Sequence, residues 1–233
     1  MNLLAFDTST EALSIALTGP GEPLLHAGAG GAQASASLIP AILALLERGG
    51  LALHELDAIV FGSGPGSFTG LRTACSVAQG LALGAGVPVL PVETLMAVAE
   101  DARFRTGAQD VLALLDARMD EVYVARYTHD GQRWQRGSPV RLAAPEAVDA
   151  PAGTVLAGNA FRAYGDRLPA AAPRVEAAPT AAALLRLAPA LIAAGEARAA
   201  DEALPLYVRD KVAQTTAERE ATRAALQQDK MAR

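Results

Sequence analysis

The 233-residue chain reads as an α/β protein built in two similarly planned halves. Three observations predict this. A short apolar run at residues 3–6 ends in small polar groups, and an alternating run follows at 13–17, the pattern of a strand that turns and returns. The apolar run at 57–61 leads through a glycine-rich loop into a helical pattern, as in a strand-to-helix crossover. The plan then begins again at Val111 with a strand, a small-residue turn, a returning strand and later helices. No tandem repeat of fixed period accompanies it.

The elements follow in order. Thr18-Gly19-Pro20-Gly21 is a turn, and residues 23–27 suit the third strand of a meander. Ser35 or Ser37 can cap a first helix that has Pro40 in its first turn and stops at Gly49-Gly50. Its apolar positions, Leu38, Ile39, Ile42, Leu43, Leu45 and Leu46, spread over more than one stripe, which predicts two covered faces. A second helix is expected from Gly70 or Leu71 to Leu83, lined with Ala74, Ser76, Ala78, Gly80 and Ala82. Gly80 costs a free helix about 1 kcal/mol against Ala, and close helix-to-helix contact is the usual compensation. Residues 87–92 form a buried strand, and Glu93 or Thr94 opens a third helix.

The polar stretch 101–110 marks a boundary. Strands at 111–116 and 122–127 flank a turn, and a short strand at 155–156 ends at Gly158-Asn159-Ala160. Thr180 caps a helix to Ala194 in which Pro189 predicts a kink, and 206–208 is a last extended piece. From Ala213 the chain turns polar and alanine-rich, which predicts an exposed helix or a frayed tail. The expected organisation is therefore a first lobe at 1–105, a second at 106–212 and a tail at 213–233.

Composition bounds the function. Apolar residues make up 51% and charged residues 19%, values of a globular domain and not of a disordered chain. The formal net charge of −5 argues against a protein that grips phosphates alone, because nucleic-acid affinity rests largely on neutralising phosphate. Cys75 is the single cysteine, so no internal disulfide forms, as suits a reducing compartment. The first residues lack a basic segment followed by a long apolar one, and no apolar run reaches the length of a membrane span. A cytoplasmic protein away from membranes is the expectation.

Several motifs carry chemistry or turn geometry. The loop from Gly62 to Gly70 holds four glycines in nine residues at a strand-to-helix junction. Exposed amides beside a helix N-terminus favour an anion, yet neither phosphate-loop spacing nor G-x-G-x-x-G is present. A tight structural turn explains the same glycines. Asp7, at a strand end, suits a hydrated metal ion, with Thr8, Ser9 and Thr10 offering hydroxyls to phosphate; it equally suits a turn cap. His26, His54 and His129 are scattered, and a zinc or iron site is not expected. Neither Gly62-Ser63-Gly64 nor Gly66-Ser67-Phe68 is a nucleophile elbow. Cys75, on a small-residue helix, reads as a buried inert thiol. Asp116-Ala117-Arg118 with Asp120 and Glu121 is a charged hairpin tip, either solvated or set at a cleft between the halves.

Taken together, Asp7-Thr8-Ser9-Thr10, Gly62-Ser63-Gly64-Pro65-Gly66-Ser67-Phe68-Thr69-Gly70-Leu71-Arg72, Ala78-Gln79-Gly80-Leu81-Ala82 and Asp116-Ala117-Arg118-Met119-Asp120-Glu121-Val122-Tyr123 resemble the TsaB (YeaZ) family. The resemblance is strong over residues 1–127 and weaker at Gly158-Asn159-Ala160 and Leu204-Pro205-Leu206-Tyr207-Val208-Arg209. It implies a two-lobed fold of the actin, sugar-kinase and Hsp70 type. It also implies support for formation of threonylcarbamoyladenosine beside the anticodon of tRNAs that read codons starting with A. The catalytic paralogue is TsaD, which the family binds and activates, and the ATPase TsaE joins them.

The resemblance further implies no catalytic residue, no metal and no cofactor of the chain's own, with ATP or ADP at most at the interface of the complex. A homodimer is implied in isolation, and contact with tRNA only as part of the complex. Two helical histidines bind the metal of the catalytic paralogue; the first helix here has none, and Ala34 stands where many relatives carry a further histidine. A degraded nucleotide site would comprise Asp7, Thr8, Ser9, Thr10, Gly64, Gly66, Asp116 and Gly158, with the Ala160 methyl where relatives often have glycine. Family members pair through helices of the first lobe. The expected interface is Leu38, Ile42 and Leu45 on the first helix, with Gly70, Arg72, Thr73, Ser76, Gln79 and Gly80 on the second. A weak ATPase or phosphotransferase using Asp7 and the glycine loop, or a peptidase acting on a partner, are the alternatives.

Overall fold

Leu3, Leu4, Ala5 and Phe6 are apolar without a break, and the run becomes β1 (Leu3–Asp7), buried along its whole length in the computed structural model, which describes residues 1–209. A strand buried on both faces is read as a continuous apolar run. β2 (Ala12–Thr18) and β3 (Leu24–Ala29) return antiparallel to it, and the edge strand β3 is mostly exposed. β4 (Ala58–Gly64) and β5 (Val89–Glu93) add parallel strands on the other side, giving the order β3-β2-β1-β4-β5.

The second sheet repeats this plan. β6 (Asp110–Arg118) and β7 (Glu121–His129) form its central antiparallel pair, and β8 (Trp134–Arg136) continues the meander. β9 (Arg141–Ala143) pairs with the other end of β7. β10 (Val155–Gly158) and β11 (Arg174–Glu176) are the parallel additions, in the order β11-β10-β6-β7-β8. Two sheets of one topology are the two-lobed, actin-like architecture that the resemblance implies.

Helices pack on both faces of each sheet. α1 (Ala34–Gly49) and α2 (Phe68–Ala85) lie on the outer face of the first sheet, where Leu38, Ile42 and Leu45 pack with Phe6, Ile15, Ile59, Phe61, Ala74 and Ala78. α3 (Thr94–Thr106) and α5 (Ala181–Ala193) form a layer between the sheets. Leu184 and Leu187 of α5 join Leu3, Val60 and Leu90 of the first sheet, whereas Leu95 and Val98 of α3 join Val111, Leu115 and Tyr127 of the second. The short α4 (Phe161–Tyr164) closes the outer side of the second sheet.

Several boundaries differ from the sequence reading. α1 begins at Ala34 without a side-chain cap, because the Ser37 hydroxyl donates to the Gln33 carbonyl at 3.1 Å. Pro40 therefore lies well inside the helix. Ser67 caps α2 by accepting from the Gly70 amide at 3.4 Å, so that helix starts at Phe68. Thr180 does cap α5, accepting from the Ala183 amide at 3.1 Å. The second lobe does not keep the chain to residue 212. α5 crosses back to the first sheet, where it covers the apolar inner face of β1 and β4, and Ala203 joins the core beneath α2 on the outer face. The expected tail at 213–233 lies outside the described residues.

Candidate functional site

A cleft of about 1430 Å³ opens between the lobes, at the ends of β1, β4, β6 and β10. Ser9, Thr10, Gly66 and Ser67 line one wall, and Asp116, Arg118, Asn159 and Arg162 line the other. Four of the eight expected nucleotide-site residues thus face it: Ser9, Thr10, Gly66 and Asp116. The other four, Asp7, Thr8, Gly64 and Gly158, are buried elsewhere and do not line the cleft.

Asp7 shows why. Its Oδ1 accepts from both the Ser9 amide at 2.8 Å and the Ser9 hydroxyl at 2.7 Å, which turns the carboxyl inward. Its Oδ2 has no partner among the described residues and abuts Gly62, where a Cβ would stand 1.8 Å from it. Burial raises the Asp7 carboxyl to about 6, against the opposing effect of the Ser9 hydrogen bonds. Thr8 is also committed, since its hydroxyl donates to the Gly70 carbonyl at 2.7 Å.

The glycines of the loop serve the protein's own backbone. A Cβ at Gly66 would stand 2.6 Å from the Ser9 carbonyl oxygen, and one at Gly70 would stand 1.9 Å from that of Thr8. At Gly64, with φ of 124°, the obstacle is the Leu206 carbonyl at 2.6 Å, and at Gly158, with φ of 146°, the Leu114 carbonyl at 1.7 Å. Side chains are absent here because other main chain already fills the space. The glycine spacing of this loop is therefore accounted for by the protein's own packing. Among the described residues no three His, Cys, Asp or Glu side chains come together as a metal cluster.

The charged tip between β6 and β7 stands at the cleft mouth. Arg118, Met119 and Asp120 all have positive φ, at 60°, 54° and 59°. Left-handed backbone costs L-residues roughly 1–2 kcal/mol each, so neighbours must hold the turn in place. Asp116 accepts from the Arg118 amide at 2.7 Å and from the Tyr164 hydroxyl at 3.0 Å, Arg118 pairs with Glu11 of the first lobe, and Arg167 pairs with Asp120 at 2.7 Å. Arg209 reaches the same tip, donating to the Ala117 carbonyl at 3.0 Å and to Glu121 at 2.6 Å.

The outer face of α1 and α2 is the second candidate. Three expected interface residues, Leu38, Ile42 and Leu45, are buried in the first lobe's own core, which corrects that part of the reading. Gly70 is corrected too, for it is buried against Thr8. The residues that α1 does present are Ile39 and Leu43, 42% and 50% exposed, one position beyond the buried stripe in each turn. On α2, Arg72, Ser76 and Gly80 are exposed, Thr73 and Gln79 are half-buried, and Leu83 is 74% exposed. A Cβ at Gly80 or Gly84 would meet nothing within 4 Å, so the close helix contact expected to compensate for glycine is not made among the described residues.

Arg72, Thr73 and Ser76 also line a groove of about 490 Å³ with Phe68 and Ser35. The Arg72 guanidinium lies 3.9 Å from the Phe68 ring centre. Phe68, Tyr207, Arg209 and Glu11 escaped the sequence reading as site residues. The aromatic residue in the first turn of α2 and the Leu204-Pro205-Leu206-Tyr207-Val208-Arg209 string were the available signals.

Known proteins share this arrangement. The chain is 35% identical to the tRNA threonylcarbamoyladenosine biosynthesis protein TsaB of Escherichia coli over 223 residues, covering 91% of this chain and 96% of that protein. This chain belongs to the TsaB family. The Haemophilus influenzae TsaB is 43% identical over 133 residues, 57% of this chain and 56% of the relative. The solved structure of YeaZ from Pseudomonas aeruginosa superimposes with a TM-score of 0.83 at 40% identity, covering 88% of this chain and 99% of that one. A family model described as TsaD, tRNA N6-adenosine threonylcarbamoyltransferase, matches residues 30–160, more than half of the chain, and places it within that wider family. The TsaB-family likeness thus covers the glycine loop, the β6–β7 tip and both outer helices. Among the described residues of this TsaB-family chain, no helix is long and apolar enough to cross a membrane.

Proposed function

We propose that the chain is a non-catalytic subunit in the formation of threonylcarbamoyladenosine on tRNAs that read codons starting with A, and that it acts by binding and activating TsaD. TsaE joins the pair, tRNA meets the chain only within the complex, and the assembly works in the cytoplasm. Any ATP or ADP is held between subunits and not by this chain's glycine loop. In the absence of TsaD the same face pairs with a second copy.

The observation that carries this reading is the outer face of α1 and α2. Ile39, Leu43, Leu83 and Phe68 are exposed there beside Gly80 and Gly84, whose missing side chains leave room for a partner helix. A stable interface covers roughly 800 Å² on each partner, and two helices of 16 and 18 residues offer a surface on that scale.

The test mixes the purified chain with TsaD and reads complex formation by size-exclusion chromatography, alongside modification of tRNA. Leu43→Asp with Leu83→Asp is expected to abolish both the complex and the modification while leaving the thermal unfolding midpoint unchanged. Full modification without the chain, or wild-type affinity in the double variant, would sink the reading.

A further inference from the structure

Residues 200–209 change character part-way along. A 3-10 turn at Ala200–Glu202 leads to Ala203, which is buried under α2 and whose carbonyl accepts from the Cys75 thiol at 3.0 Å. The six residues after it belong to no helix or sheet. Leu204 and Tyr207 are exposed, yet the segment crosses from one lobe to the other and walls one side of the cleft. It touches the protein at four places, one of them Val208, which packs half-buried on the second lobe's core. The Leu206 amide donates to the Ser63 carbonyl at 2.7 Å. The Tyr207 hydroxyl accepts from Arg72 Nε at 3.0 Å, with its ring 5.7 Å from that of Phe68. Arg209 holds the β6–β7 tip through Ala117 and Glu121.

We propose that residues 204–209 are a hinged strap over the cleft, rooted at Ala203 and clasped shut by Arg209 on the β6–β7 tip. Three features support it. The root is packed, whereas in the strap Leu204, Leu206 and Tyr207 are exposed and only Val208 packs half-buried on a core, and segments with so few apolar contacts open locally at low cost. The clasp is incomplete, for the Arg209 Nε is buried without an acceptor among the described residues. The tip it grips has three successive left-handed residues, a conformation that only its surroundings maintain.

A swing of the whole lobes is a poorer route into the cleft. α3 packs on strands of both sheets and against α5, so separating the lobes would break a shared core. Movement about Leu204 and Pro205 would instead clear the Leu206 carbonyl from Gly64 and uncover the glycine loop from the cleft side. Tyr207 also places the strap against Phe68 and Arg72, so the strap meets the outer groove at one point and the cleft along its length.

Amide hydrogen exchange on the full chain tests the strap, with Arg209→Gln and Glu121→Gln breaking the clasp from either side. Cys75 provides a control at the root, read by its reaction rate with an aromatic disulfide reagent. Exchange at Leu206 is expected to rise about tenfold in each variant, with the Cys75 rate and the unfolding midpoint unchanged. Unchanged exchange at Leu206 in both variants would overturn the proposal. So would a Cys75 rate that rises in step, because the segment would then peel from its root and not hinge beyond it.

Discussion

Asp7 carries a buried carboxyl of which, among the described residues, only one oxygen finds donors. Its folded value of about 6 lies above the ordinary 3.8. The folded state therefore holds the proton more tightly than the unfolded chain does. Stability from this group is fully present below about pH 4 and is lost as pH rises through 6. The shift corresponds to about 3 kcal/mol at pH 7. Asp7→Asn is accordingly expected to stabilise the protein by about 1–3 kcal/mol at pH 7 and to make little difference at pH 3.5. Urea unfolding at the two pH values measures this; parallel profiles for variant and wild type would contradict it. The carboxylate type and its strand-end position were readable in the sequence. Its inward aim was not, because it depends on the Ser9 clamp and on Gly62, fifty-five positions away in the chain.

α1 shows how far periodicity reaches at the scale of an element. Apolar residues on more than one stripe predicted two covered faces, but the described residues cover only one: an inner stripe lies in the core and an outer pair stands in solvent. Which stripe faces which way was not legible, since Leu38 and Ile39, or Ile42 and Leu43, are equivalent by composition. The sheet decides, by accepting Leu38, Ile42 and Leu45 between Phe6, Ile15 and Phe61. Ile42→Ala is thus expected to cost about 2–5 kcal/mol, whereas Ile39→Ala should stay within about 0.5 kcal/mol. Chemical denaturation separates them, and equal losses would show that the stripes are misassigned. The glycine loop behaves alike. Its strand-to-helix place was clear from sequence, but the choice between an anion cradle and a tight turn needed the carbonyls of Thr8, Ser9 and Leu206 that fill it.

For the whole molecule, the decisive feature is the return of α5 to the first sheet. Leu3, Ala5, Val60 and Leu90 are covered by Ala181, Leu184 and Leu187, which come after the entire second sheet in the chain. The lobes are therefore one folding unit despite their repeated topology. A fragment of residues 1–109 would expose that apolar face, and it is expected to lack cooperative unfolding by circular dichroism. A sharp, wild-type-like transition in the fragment would show that the lobe closes without α5.

By itself the sequence determined the α/β class, the two-part plan, most central strands, the helix caps at Thr180 and Gly50, and the family. Each of these rests on residues close together in the chain, where local pattern and backbone preference act directly. Tertiary structure alone decided which stripe of α1 is core, which way Asp7 points, what fills the space beside the glycines, and where α5 and residues 204–209 lie. Those depend on pairs far apart in sequence, and the packing that selects them exists only once both sheets are in place.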